Sequence, residues 1–202
     1  MPPSLYSEAL SDILLEYFEV YIHQILFYSK LYPKELFERS VKYNTLTMMC
    51  RHPELNEYIY KFVQSLKDWL LDGSLSSFDI LIYNNIDEIV ETFKLKIESL
   101  AVNLTDVIDF DKIRSSMRSS ILRISLSEQY YKQLSSECTF RLQVERHMEK
   151  KIDNKIHQNM NQKAKMKLDY SEIKKESTST IFTQSIGTIY TPILSMQILC
   201  YT

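Results

Sequence analysis

Residues 42–59 read KYNTLTMMCRHPELNEYI, and the two halves of this stretch ask for different backbones. Residues 41–51, VKYNTLTMMCR, alternate poorly and carry Asn44, which predicts a small hairpin or an irregular strand. His52-Pro53-Glu54 then opens a helix, with proline at the first helical position and an acid in the first turn. Leu55, Ile59, Phe62, Val63, Leu66 and Leu70 continue it as an apolar stripe, and Asp72-Gly73 closes it, glycine supplying the left-handed residue. A short extended element leading into an amphipathic helix sets the class as mixed helix and sheet.

Upstream, residues 8–31 predict a long helix. Leu10, Ile13, Leu14, Tyr17, Phe18, Tyr21, Ile22, Ile25 and Tyr28 recur at helical spacing, and Leu15, Val20, Leu26 and Phe27 extend the apolar surface around the cylinder. A helix apolar on most sides is central and covered by other elements. Ser4 or Ser7 is the expected cap, Pro33 the stop, and Pro33–Ser40 a short turn. Downstream, 77–84 and 89–97 predict an antiparallel hairpin about the turn-rich NNIDE. A helix is expected over 109–127, and a half-buried strand over 137–146, where Cys138, Phe140, Leu142 and Val144 alternate.

Composition changes at 147. Residues 147–180 hold eight lysines, five acids and many Asn, Gln, Ser and Thr, which predicts a segment mobile in isolation. Strand-like alternation returns in 181–190 and 192–201.

The whole chain has 202 residues, 24 Lys+Arg, 26 Asp+Glu and a formal charge of −2, so no global field holds a nucleic acid. Two glycines, Gly73 and Gly187, cannot build a phosphate-cradling Gly-rich loop. Cys50, Cys138 and Cys200 are too sparse for a disulfide framework and fit a reducing compartment. No cationic-then-apolar leader is present, and Glu16 and Glu19 interrupt the first apolar run. Neither secretion nor a membrane partner is therefore expected.

No catalytic constellation emerges. His23 falls within an apolar helix and is expected in the core. His52 precedes Pro53 and is expected to cap or pack. His147 and His157 lack metal-ligand spacing. Ser115, Ser116, Ser119 and Ser120 have no nucleophile elbow, and Asp109 and Asp111 are explained by a helix start. The lysines of 163–167 are expected to be solvated, and the aromatics to pack. The chain is expected to bind proteins, with no enzymatic activity, cofactor or metal.

Several segments together resemble the HORMA-domain family. They are FEVYIHQILFYSKLYPKELF at 18–37, KYNTLTMMCRHPELNEYI at 42–59, SSILRIS at 119–125, CTFRLQV at 138–144 and ILSMQI at 193–198. His52 and Asn56 favour the accessory, non-catalytic branch associated with DNA polymerase zeta, whereas LKDWL at 66–70 is closer to the spindle-checkpoint branch. The resemblance implies an α+β fold: a three-helix layer on an antiparallel sheet, with a C-terminal "safety belt" closing over a partner peptide that pairs with a sheet edge. Residues 1–202 would form a single HORMA domain, with 1–146 as core and 147–202 as belt. Within the belt, 147–180 would be the hinge and loop and 181–201 the terminal strands.

It further implies nuclear localisation with a cytoplasmic pool and a role in translesion synthesis, DNA repair and mutagenesis, with links to the cell cycle. The implied partners are the catalytic subunit of DNA polymerase zeta, through a proline-containing peptide, the C-terminal domain of the scaffold translesion polymerase, and a second HORMA protein. The alternative is a checkpoint protein that captures a peptide of the anaphase activator pathway. By resemblance, Tyr58 packs on the partner's prolines, with Leu55 and Ile59 beside it. Leu168 or Tyr170 falls where the family sets a belt tryptophan, the only tryptophan here being Trp69. Arg118 corresponds to a dimer-contact arginine. Gln197 and Leu199 fall on the scaffold-polymerase surface, Leu199 standing where an aromatic is usual.

Overall fold

The computed structural model describes residues 5–100, 109–132, 134, 137–147, 183–191 and 193–202. Helix α1, Leu5–Tyr28, runs through the middle of the fold. Leu14, Tyr17, Phe18, Tyr21, Ile22, Ile25 and Leu26 on it are wholly buried, as an all-round apolar pattern requires. Ser7 lies inside α1, and Ser4 falls outside the described residues. The helix ends before Pro33, because Lys30 takes a left-handed φ of 57° and its N–H returns to Phe27 O.

A single turn at Lys34–Leu36 leads into β1, Phe37–Lys42, which pairs antiparallel with β2, Thr45–Cys50. The hairpin therefore starts earlier than its sequence signals. Tyr43 and Asn44 both hold positive φ, 52° and 54°, the backbone that matches strand twist in a two-residue turn. Helix α2, Pro53–Ser65, follows, and the expected single helix breaks at Leu66 before α3, Lys67–Leu71. Gly73, at φ 72°, turns the chain into the sheet.

Strands β3, Leu75–Tyr83, and β4, Ile89–Leu100, form the expected hairpin. Helix α4, Phe110–Leu126, starts at Asp109, whose side chain accepts the Lys112 N–H at 3.0 Å. Strand β5, Thr139–Arg146, and the final pair β6, Thr183–Tyr190, and β7, Leu194–Tyr201, complete a five-stranded sheet of order β5-β3-β4-β7-β6. Every pairing in it is antiparallel.

The core lies between this sheet and the helices. Phe78 of β3 meets Phe18 at 5.1 Å, Tyr21 at 5.7 Å and Phe62 at 5.8 Å, all edge to face, so one ring joins α1, α2 and the sheet. Tyr17 and Ser120 share a buried hydrogen bond of 2.9 Å that ties α1 to α4. Among the described residues no helix is long and apolar enough to cross a membrane.

Candidate functional site

The stretch that opens α2 is pinned to its surroundings from several sides. Buried His23, on α1, accepts the Cys50 N–H through Nδ1 at 3.3 Å. Burial lowers its pKa to about 4, so the ring is neutral and free to accept. Cys50 Sγ takes the His52 N–H at 3.3 Å, and Asn56 Nδ2 donates to Cys50 O at 2.9 Å. His52 occupies the N-cap position, but its exposed side chain makes no capping bond there. Buried Ile59 and Val63 hold the inner face of α2, and Tyr58 beside them stays 43% exposed.

Tyr58 lies at the edge of the sheet. Its ring packs edge-on to Phe140 of β5 at 5.7 Å, and Tyr32 meets the same Phe140 at 6.1 Å. The Leu142 N–H donates to the Tyr58 hydroxyl at 3.2 Å. Strand β5 pairs with β3 on one side, and no described strand lies on its other side. Since Leu142 N–H points away from β3, the backbone groups of Phe140 and Val144, two residues to either side, point away as well.

The far end of β5 is fixed by Arg146. Its guanidinium lies over Trp69 at 4.9 Å, bonds Ser74 Oγ at 2.9 Å and pairs with Asp72 at 3.6 Å.

The two sheet edges differ. Strand β6, at the opposite edge, runs against α4 and is bulged, its register shifting between Ser185 and Gly187 so that Ile186 is the extra residue. Bulges and covering helices blunt an edge against strand addition. Strand β5 pairs in unbroken register from Thr139 to Glu145. It is a straight edge rimmed by aromatics, which suits it to receive an extended segment.

No protein-family model matches the chain. The DNA polymerase zeta processivity subunit of Schizosaccharomyces pombe is 31% identical over 143 residues, covering 66% of this chain and 67% of that protein. The chain belongs to the HORMA-domain family. Within it, this HORMA chain falls in the branch of MAD2B and the DNA polymerase zeta accessory subunits. The spindle assembly checkpoint protein MAD2B of Danio rerio is 29% identical over 138 residues, 67% of this chain and 64% of that protein. The HORMA chain thus spans slightly less than two thirds of the length of that relative.

Solved structures agree on the fold. A chain of the mitotic checkpoint complex superimposes with a TM-score of 0.70 at 19% identity, covering 95% of this chain and 97% of the other. C. elegans HTP-2 bound to HTP-3 closure motif 1 does so with a TM-score of 0.69 at 13% identity, covering 97% and 87%.

The HORMA fold distributes the predicted site residues unequally. Tyr58 stands at the β5 edge, and Leu55 is partly buried against the core. Ile59, expected beside Tyr58 at the partner surface, is instead fully buried; it supports α2 from within and presents nothing to a partner. Leu168 and Tyr170 lie outside the described residues. Exposed Arg118 lines a cavity of about 490 Å³ with Tyr43, Asn44 and Arg114, between α4 and the tip of the β1–β2 hairpin.

Gln197 and Leu199 are half-buried and project from the face of β7 opposite buried Met196, Ile198 and Cys200. They stand across from Lys96 and Lys94 of β4, with β3 and β4 between them and the β5 edge. Sequence reasoning missed Phe140 and Tyr32 as companions of Tyr58. The alternation of 138–144 marked a half-buried strand, but nothing local says which strand of a sheet lacks a neighbour.

Proposed function

We propose that this protein is the non-catalytic adaptor of DNA polymerase zeta, and that it captures a proline-containing peptide of the catalytic subunit by strand addition to β5. The unpaired β5 edge with Tyr58 standing over it carries the reading. Main-chain hydrogen bonds to an added strand give affinity that tolerates varied sequence, and pockets beside the edge select side chains. Tyr58 and Tyr32 about Phe140 suit proline rings, which pack well on aromatic faces.

The chain leaves the β5 edge at Arg146 and re-enters the sheet at the other edge at Thr183. A connection between opposite edges supports the reading of 147–202 as a belt around the captured peptide, which lowers the dissociation rate. The Gln197–Leu199 face, separated from the docking edge by two strands, leaves room for the C-terminal domain of the scaffold translesion polymerase at the same time. The adaptor would thus bridge the two polymerases, acting in the nucleus with a cytoplasmic pool. The α4 surface at Arg118 is assigned to contact with a second HORMA protein.

Calorimetric titration with two synthetic peptides tests this: one spanning the proline-containing segment of the polymerase zeta catalytic subunit, the other from the anaphase activator pathway. The first is expected to bind and to slow amide exchange at Phe140, Leu142 and Val144. Preference for the second peptide would favour the checkpoint role, toward which LKDWL at 66–70 leans. Binding without protection of β5 would move the site elsewhere.

A further inference from the structure

The open edge of β5 is already occupied at one point. Leu142 N–H, the central outward amide, donates to the Tyr58 hydroxyl, and a strand added to β5 needs that same amide for one of its own carbonyls. We propose that the Tyr58 hydroxyl is a built-in competitor for the partner strand: it caps the docking edge while no peptide is bound and must release Leu142 before a peptide can pair. This rests on the strand-addition reading above.

Two parts of one side chain then act in opposite directions. The ring, held edge-on to Phe140 at 5.7 Å, forms a wall of the aromatic cradle and favours the peptide. The hydroxyl, 3.2 Å from Leu142 N, opposes it. Fully buried Ile59 anchors the next position of α2, so release calls for rotation of the Tyr58 side chain and leaves the helix in place. The side chain is 43% exposed, which gives it room to turn.

The cap raises selectivity. A bare edge amide templates pairing with any extended chain, whereas a capped one admits a segment that also gains the cradle. A ligand that has to select a less populated state loses apparent affinity in proportion to that population.

The full chain is compared with its Tyr58→Phe and Tyr58→Ala variants. Each is titrated calorimetrically with the synthetic proline-containing peptide of the polymerase zeta catalytic subunit, and exchange of the Leu142 amide is followed without peptide. Tyr58→Phe, which keeps the ring and loses the hydroxyl, is expected to bind roughly three- to tenfold tighter than wild type, the net worth of one hydrogen bond. Its free Leu142 amide should exchange faster. Tyr58→Ala should bind at least about tenfold more weakly than Tyr58→Phe, as loss of an aromatic anchor does.

Equal or weaker binding by Tyr58→Phe overturns the competitor, and so does unchanged exchange at Leu142. Tyr58→Ala binding as tightly as Tyr58→Phe overturns the role of the ring. Failure of wild type to bind the peptide overturns the polymerase zeta adaptor reading on which the cap rests, and is told apart from failure of the cap because the Leu142 exchange rates are measured without peptide.

Discussion

Replacing His23 by glutamine should flatten the acid limb of the protein's stability curve. His23 is 1% exposed on α1, and its Nδ1 accepts the Cys50 N–H. The folded ring protonates only near pH 4, because burial penalises the cation, whereas the ordinary value is 6.5. The sign follows from proton counting. Between pH 6.5 and 4 the unfolded chain holds a proton at this position and the folded chain does not, so acidification favours unfolding across that window. At about 1.4 kcal/mol for each pH unit, the gap from 6.5 to about 4 amounts to a loss of about 3 kcal/mol.

Other groups act the opposite way. Glu91 and Asp79 have pKa values raised by burial, so their protonation on acidification favours the fold. The decisive quantity is therefore the difference between wild type and His23→Gln, in which glutamine cannot titrate but can still offer Cys50 an acceptor. Urea unfolding of both proteins from pH 7.5 to 4 should give curves that converge by about 3 kcal/mol as pH falls, the wild type losing more. Parallel curves would refute the argument and mean that His23 is solvated, or already charged, in the folded chain.

Ile59→Ala should cost about 2–5 kcal/mol of unfolding free energy in a urea melt, as emptying a buried aliphatic site does, whereas Tyr58→Ala should cost far less. Gly187→Val should lower stability by about 1–3 kcal/mol and deprotect β6 and β7 in hydrogen exchange. A Cβ at Gly187 would already stand 3.3 Å from Ser120 Oγ, an oxygen tied to Tyr17. For that buried pair, Ser120→Ala, which leaves the Tyr17 hydroxyl unsatisfied, should cost about 1–3 kcal/mol. The double variant with Tyr17→Phe should recover part of the loss, a coupling read from a double-mutant cycle.

Legibility in the sequence followed from how local each cause is. The apolar belt around α1, the Pro53-Glu54 helix start and the alternation in β5, β6 and β7 are decided within a few residues, and each element was foreseen. The early end of α1 was not, since Lys30 in a left-handed conformation has no signature comparable to glycine. The start of β1 at Phe37 depends on Phe37 lying opposite Cys50, a partner that no local pattern identifies. The break at Leu66 was masked by a stripe that passes through it in helical register. At the candidate site Tyr58 was named through resemblance, while Phe140, Tyr32 and the outward-facing Leu142 amide that Tyr58 caps became visible only when the strand order was known. The placement of Ile59 shows the limit of proximity in sequence: neighbours on a helix face different surroundings, and one of the pair is core.

The strand order also constrains how the chain can assemble. β3 and β4 meet across a short turn, but β4 finds β7 only when Thr92 reaches Tyr201 and Leu100 reaches Leu194, contacts that close loops of about a hundred residues. Such distant pairings form slowly. Until the last strands dock, β4 is itself a bare border, whereas in the finished sheet that border is paired with β7 and the bulged β6 takes the outer place. Lys94, Lys96 and Glu98 along β4 place charge on that temporary border, which discourages neighbouring nascent chains from joining there.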